Sequence, residues 1–387
     1  MIIRILPFVF ILGLISCHTN TLEGDYFGQA EPGIIPEVFA EDIISIRGRY
    51  EHGLSFAPNS RELAFGIFNK ADFSGTIYYS KKHSNKWTEP TVFEPLEDES
   101  VYLPYFSPDG KSLLYAQSRP DTSNGFTDIW RLNKMNGSWG QAEKIDNPVS
   151  TLSRESTACL SLDGTIYFSS NRNGNGLADL YCSSLENGEY RIVERLDSIC
   201  SMRDEESIFI APDEQYIIFS RYASNANGPD LFISYQDYSG NWTQPVLLNS
   251  AINTADWERR PFVSFDNRFL FFTKQIFDDN GYAESDIYWV STQKVFKPFV
   301  FKPIPSSTIK LGEVFHLSLP ADLFRDIDNE NLEISLKSEK PDWARFDKAK
   351  MTLSMNPSEA GEFTLVFAAI DKHLNETECE VKIVVEE

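Results

Sequence analysis

The feature that most constrains this chain is a phrase that returns about every fifty residues. In Tyr105–Tyr115, YFSPDGKSLLY, an apolar run ends at Tyr105 and Phe106, Pro108-Asp109-Gly110 turns the chain, and Leu113 and Tyr115 alternate into the next run. Proline presets the first turn torsion and glycine accepts a positive φ, so the phrase predicts strand, turn, strand. The turn position recurs at Pro58, Pro108, Leu162, Pro212 and Phe265, with gaps of 50, 54, 50 and 53 residues. A fixed period of this size marks a repeat architecture.

A second phrase follows each turn: Thr76-Ile77-Tyr78, Asp128-Ile129-Trp130, Asp179-Leu180-Tyr181, Asp230-Leu231-Phe232 and Asp286-Ile287-Tyr288. A large aromatic, Trp87, Trp139, Tyr190 or Trp242, stands nine or ten residues beyond the first four of these. Each unit therefore offers four short alternating segments, the content of one propeller blade, and arranging blades around a circle hides sheet edges. The fifth unit lacks its outer segment, and the N-terminal PEVFAEDIIS aligns with the missing phrase. The predicted fold is all-β: a five-bladed β-propeller over 36–298, closed by Pro36 to Ile44, then a small β-sandwich over 299–387. A sixth, degenerate blade from residues 25–50 and 291–303 is the alternative.

The FSPDG turn, the Asn171-Arg172-x-Gly phrase and the Asp-Ile-Tyr strand resemble the WD40-like propeller repeats of the TolB type, over roughly residues 25–295. Units three and five depart from that pattern, with Leu162 and Phe265 in place of proline and Asn267 in place of glycine. Beyond Pro305, the residues Phe324, Asp326, Asp328, Leu332, Pro341-x-Trp343, Phe346-Asp347, Pro357, Gly361 and Ala369-x-Asp371 fall in the order seen in cadherin-like, dystroglycan-type immunoglobulin-fold domains. That resemblance implies Trp343 and Phe346 in the sandwich core. It also implies Asp326, Asp328 and Asp371 as candidate calcium ligands at one end, hard oxygen donors suited to that ion. No other cofactor is expected.

The N-terminus reads differently. Arg4, the apolar run Ile5 to Leu14 and Leu14-Ile15-Ser16-Cys17 form a signal segment over 1–16, too short to span a bilayer stably. Leu-Ile-Ser-Cys resembles a bacterial lipoprotein lipobox, which implies lipidation at Cys17, export, and attachment to the cell envelope, by default the outer membrane. Residues 17–35 are read as a tether. Of the remaining cysteines, Cys379 alternates with Val381, Ile383 and Val385 as on a buried strand face. Cys159, Cys182 and Cys200 share one repeat, which leaves one disulfide or buried thiols open.

A carboxylate stands seven residues before four of the five turn positions, at Glu51, Glu155, Glu205 and Glu258, with Val101 breaking the series. Mostly extended chain would carry these side chains, with His52, to one mouth of the central channel. There they would form a cation or cationic-ligand site, or be held by backbone amides and by Arg259 or Arg260. Asp128, Asp179, Asp230 and Asp286, and likewise Arg119, Arg172, Arg221 and Lys274, recur in successive blades and are read as architecture.

A formal charge of −22, from 57 acidic and 35 basic residues, disfavours nucleic acid as a partner. Five histidines lack metal-ligand spacing, and GxSxG, P-loop and GxGxxG signatures are missing. The expectation is a non-enzymatic, lipid-anchored binding or scaffold protein for an envelope protein or polysaccharide, touching the membrane through its N-terminal lipid alone. The alternative is a carbohydrate-active propeller enzyme, a glycosidase or lyase, using the channel-mouth carboxylates.

Overall fold

The computed structural model describes residues 21–120, 126–222, 228–278, 281–328 and 331–387. The signal segment and Cys17 lie outside the described residues. Five antiparallel sheets of four or five strands occupy the repeat region, with a two-stranded pair, Leu185–Glu186 and Glu189–Tyr190, in the third unit. Their innermost strands are Glu51–Phe56, Val101–Phe106, Glu155–Leu160, Glu205–Ile210 and Trp257–Val263. These strands touch in cyclic order, and the fifth returns to the first. The ring of a β-propeller is thereby closed, and stacking blade on blade explains second strands such as Ser112–Ser118, whose first five residues are all buried.

The turn that sets the period is built alike in every sheet. The amide of Ser60, Gly110, Gly164, Glu214 or Asn267 donates to the carbonyl three residues earlier, at 2.8–3.1 Å, and each of these residues has positive φ. Serine, glutamate and asparagine thus hold a left-handed position that glycine takes in the second and third units. Asp109 also accepts from Ser107 Oγ at 2.7 Å and from the Lys111 amide at 3.0 Å, so the side chain supports the turn as well as the backbone.

Glu37–Val38 is the outer strand of the fifth sheet, with Glu37 opposite Trp289 and Val38 opposite Tyr288. The Phe39 amide continues the pairing to the Ile287 carbonyl at 2.8 Å. Of the stretches offered for a sixth blade, the first supplies this closing strand and the second supplies Phe299–Val300, which pairs with Phe324–Arg325.

The tether reading of residues 17–35 is corrected over its described part. Phe27 is fully buried and stacks on Trp87 at 4.7 Å, and Tyr26 meets Phe56, Phe269 and Trp289. The Gln29 side chain donates to the Val38 carbonyl at 2.9 Å and accepts from the Ala40 amide at 2.7 Å. Two adjacent aromatics inside a polar stretch found a hydrophobic seam between the first and last blades, and burying them holds the segment on the ring.

The C-terminal unit packs one sheet, containing Ser307–Lys310, Glu376–Glu386, Gly361–Ile370 and Glu333–Leu336, near a second of Phe315–Ser318, Thr352–Met355 and Ala344–Asp347. Leu353, Phe367, Val381 and Ile383 form the fully buried centre. Trp343 and Phe346 are half-buried at its margin, against Phe363 and Phe367, because the aliphatic strands already fill the middle. The unit joins the propeller through Asn375, whose side-chain amide donates to the carbonyls of Gln293 and Phe296 at 3.0 and 3.2 Å. Tyr235 stacks on Phe299 at 4.4 Å beside it. Cys159, Cys182, Cys200 and Cys379 are all free thiols.

Candidate functional site

Every innermost strand carries a β-bulge two residues after the position of the repeated glutamate. The pairing register shifts there in all five sheets, and Gly53, Leu103, Thr157, Ser207 and Arg260 have positive φ. A bulge sets two residues against one on the neighbouring strand and increases the local twist. Alternation therefore sends the repeated glutamate into the blade, while the next residue and the bulge residue turn toward the channel.

All four glutamates are fully buried behind the channel wall, where each clamps the loop that enters its own strand. Glu155 accepts from the Thr151 amide and hydroxyl at 2.9 and 2.7 Å, and Glu258 from those of Thr254 at 3.1 and 2.7 Å. Glu205 is held by Ser201 and by Arg221 at 2.7 Å, and Glu51 by Arg49 at 2.6 Å. Arg172 reaches Glu155 at 3.2 Å, so the recurrent arginines are partners of the recurrent glutamates. The structure thus does not gather Glu51, Glu155, Glu205 and Glu258 at the mouth; of the residues singled out there, His52 lines it.

Burial pushes the carboxyls of Glu51 and Glu258 up to about 7, against the opposing pull of Arg49 on the first and Thr254 on the second. A folded-state value above the unfolded one means that the folded chain binds more protons between them. The associated stability is therefore complete below the ordinary glutamate range and is lost as pH rises through 7. Glu258→Gln is expected to leave stability at pH ~3.5 unchanged and to raise it at pH 8, by at most about 3 kcal/mol. Urea unfolding at the two pH values measures this, and an equal effect at both would contradict it.

The mouth itself opens on a cavity of about 820 Å3 lined by His52, Phe68, Phe73, Tyr102, Leu103, Arg154, Ser156, Glu206 and Arg260, with the hydroxyls of Ser74, Ser100, Ser118 and Thr127. His52, Tyr102, Ser156 and Glu206 are the residues next to the repeated glutamate position in the first four blades. In the fifth, Arg259 holds that position and the bulge residue Arg260 reaches the cavity. Tyr102 donates to the Phe73 carbonyl at 2.6 Å, and its ring lies over Gly75, where a Cβ would come within 2.3 Å of it.

Glu206 is the charged centre. Arg154 bonds it at 2.8 Å, Arg259 bonds it directly, and Arg260 stands 3.7 Å away. Burial raises the pKa of Glu206, but the three guanidinium groups outweigh burial and hold the carboxyl well below its usual range. Burial and the neighbouring Arg259 pull Arg260 down to about 9. His52 is kept neutral, first by burial and then by Arg260 and Arg259. Its Nδ1 and the Nε of Arg260 are buried without a hydrogen-bond partner among the described residues.

Two carboxylate groups elsewhere bear on metal binding. Ligand atoms of Asp179, Cys200 and Glu205 lie within 4.8 Å of one another, but Arg195 and Arg221 pair with the two carboxylates at 2.7 Å each. In the C-terminal unit, burial and Asp328 push Asp326 up to about 7, and Asp371 spends both oxygens on Asn375. Calcium takes six or more oxygens, so Asp326, Asp328 and Asp371 would need further oxygen ligands beside them to complete a calcium shell.

No family model matches the chain, and no curated protein matches it either. Solved structures with a similar fold include prolyl endopeptidases, at 11% identity over 87% of this chain and 39% of theirs, with a TM-score of 0.37. An oligogalacturonate lyase in complex with manganese matches at 14% identity over 64% of this chain and 66% of its own, with a TM-score of 0.38. An endo-arabinase from Bacteroides thetaiotaomicron matches at 11% identity over 67% and 96%, with a TM-score of 0.41. This chain spans less than two thirds of the length of the first two. The likeness is one of fold and supplies no residue of the site. It does correct the expectation of a non-enzymatic chain, which rested on missing catalytic signatures: these similar propeller structures are enzymes.

Proposed function

We propose that the chain is a carbohydrate-active enzyme that takes a saccharide into the cavity at the propeller mouth. The observation that carries this reading is the lining. Phe68, Phe73 and Tyr102 offer apolar faces beside a set of serine and threonine hydroxyls, with the charged Arg154, Glu206 and Arg260 in the same wall. Polar groups placed beside aromatic faces fix the orientation of a small polar ligand.

Hydrolysis by two carboxyl groups needs one of them protonated to assist the leaving oxygen. Glu206 stays ionised among its arginines, and the carboxyls pushed upward, Glu51 and Glu258, stand behind the wall. A paired-carboxylate glycosidase therefore finds little support in these residues, and the charged part of the cavity wall becomes the place to seek chemistry. Incubation with a panel of neutral and acidic oligosaccharides, following new reducing ends and new ultraviolet absorbance, tests the reading. Absence of turnover and of binding across the panel would overturn it.

The TolB-type repeat, the cadherin-like C-terminal unit and anchoring of the chain to a bacterial envelope through Cys17 belong to the same proposal, supported by the sequence phrases that suggest them. Cys17→Ser is expected to abolish incorporation of a labelled fatty acid and to release the protein from the membrane fraction. Label retained by the variant would remove the anchor.

A further inference from the structure

We propose that the saccharide is acidic: a uronate-type sugar whose carboxylate is received by Arg260 and Arg154 in the wall of the cavity. The inference rests on the carbohydrate reading and adds the class of sugar.

Arg260 is the third guanidinium on a single carboxylate. Glu206 gives its oxygens to Arg154 at 2.8 Å and to Arg259, which leaves Arg260 at 3.7 Å and, among the described residues, hydrogen-bonded to Ser207. A guanidinium has five N–H donors in a fixed fork that matches a carboxylate. Buried guanidinium groups are costly unless anions join them, and Asp204, which acts on Arg154 and Arg259, is not among the charges that act most on Arg260. Arg260 lines the cavity and its side chain is 11% exposed, so the accessible edge of the fork, away from its buried Nε, meets whatever enters. Arg154, 38% exposed, borders the same space and can share the incoming anion.

The rest of the cavity sorts the ligand. The neutral His52 and the hydroxyls of Ser156 and Thr127 suit sugar hydroxyls rather than a second charge. Asp72, exposed at the rim, and the net charge of −22 disfavour a long polyanion drawn across the face. A short oligomer, or the end of a chain, fits both requirements.

The test compares a short oligomer of galacturonic acid with its fully methyl-esterified counterpart, which keeps the sugar shape and removes the charge. Titration calorimetry on the full chain is expected to show the acid binding about tenfold or more tightly, the scale of a charge-assisted hydrogen bond. Arg260→Gln is expected to erase that preference while ester binding persists. Arg154→Gln, at a more exposed position, is expected to reduce it and guards against misfolding of the first variant, which circular dichroism also checks. Equal binding of acid and ester by the parent would overturn the acidic-sugar inference and leave the carbohydrate reading standing. A preference unchanged in both variants would overturn the assignment to these arginines. Failure of either ligand and of neutral oligosaccharides to bind would remove both readings.

Discussion

Phe39→Ala is expected to cost the protein about 3–5 kcal/mol in urea unfolding, among the largest effects available from one side chain. Phe39 is fully buried, and its ring meets Phe271 at 5.1 Å, Trp289 at 5.2 Å, Phe56 at 6.0 Å and Phe27 at 6.1 Å. Those four rings come from the first blade, the last blade and the N-terminal segment. Truncation removes the transfer energy of the ring and leaves a space that no single segment can move to fill. The site also lies where the last sheet takes its outer strand, so the damage falls on ring closure. Ile35→Ala, at a residue 63% exposed, is expected to change stability by less than about 0.5 kcal/mol. Comparable effects of the two substitutions would show that the N-terminal segment does not close the ring.

Glu206→Ala is expected to be similarly severe, about 3–5 kcal/mol, for an electrostatic reason. The carboxylate is 6% exposed and is the shared partner of three arginines, two of them only 12% and 11% exposed. Its removal leaves the buried Arg259 and Arg260 facing one another with Asp204, which acts on Arg259 and Arg154, as the nearby carboxylate. Arg260→Met added to Glu206→Ala should recover part of the loss, since it removes one of the buried positive charges. The pH dependence has the opposite sign to that of Glu258. The depressed pKa of Glu206 contributes stability above the ordinary glutamate range, and that contribution is lost as pH falls below it. If Arg260→Met made the Glu206→Ala protein still less stable, the charge cluster would not be the source of the effect.

Much of the fold was legible because a repeat multiplies its own signal. One Pro-Asp-Gly turn is ordinary; five turn positions at gaps of 50 to 54 residues specify a circular stack, and a missing outer phrase can be matched to the chain end that supplies it. Lys86–Trp87 and Glu194–Arg195 show where this reading thins, since outer strands of two residues leave little alternation to detect. The residues 21–35 misled for another reason. Tyr26 and Phe27 are only two aromatics among polar neighbours, and their burial depends on a seam that exists once the first and fifth blades have met.

The site was legible in position and misread in direction. Seven residues before each turn is indeed where the inner strands pass the channel mouth, and the series Glu51, Val101, Glu155, Glu205, Glu258 drew attention to it. The residue beside each one, His52, Tyr102, Ser156, Glu206 and Arg259, has no shared chemistry and so left no repeated signal. What the amino-acid sequence determined by itself was the period, the strand content of each unit and the closure of the ring, because these follow from local turn chemistry and alternation. Only the tertiary structure decided which side chains face the channel. One bulge in each inner strand re-aims a few side chains, and bringing blades four and five together sets Glu206 among arginines from blades three and five.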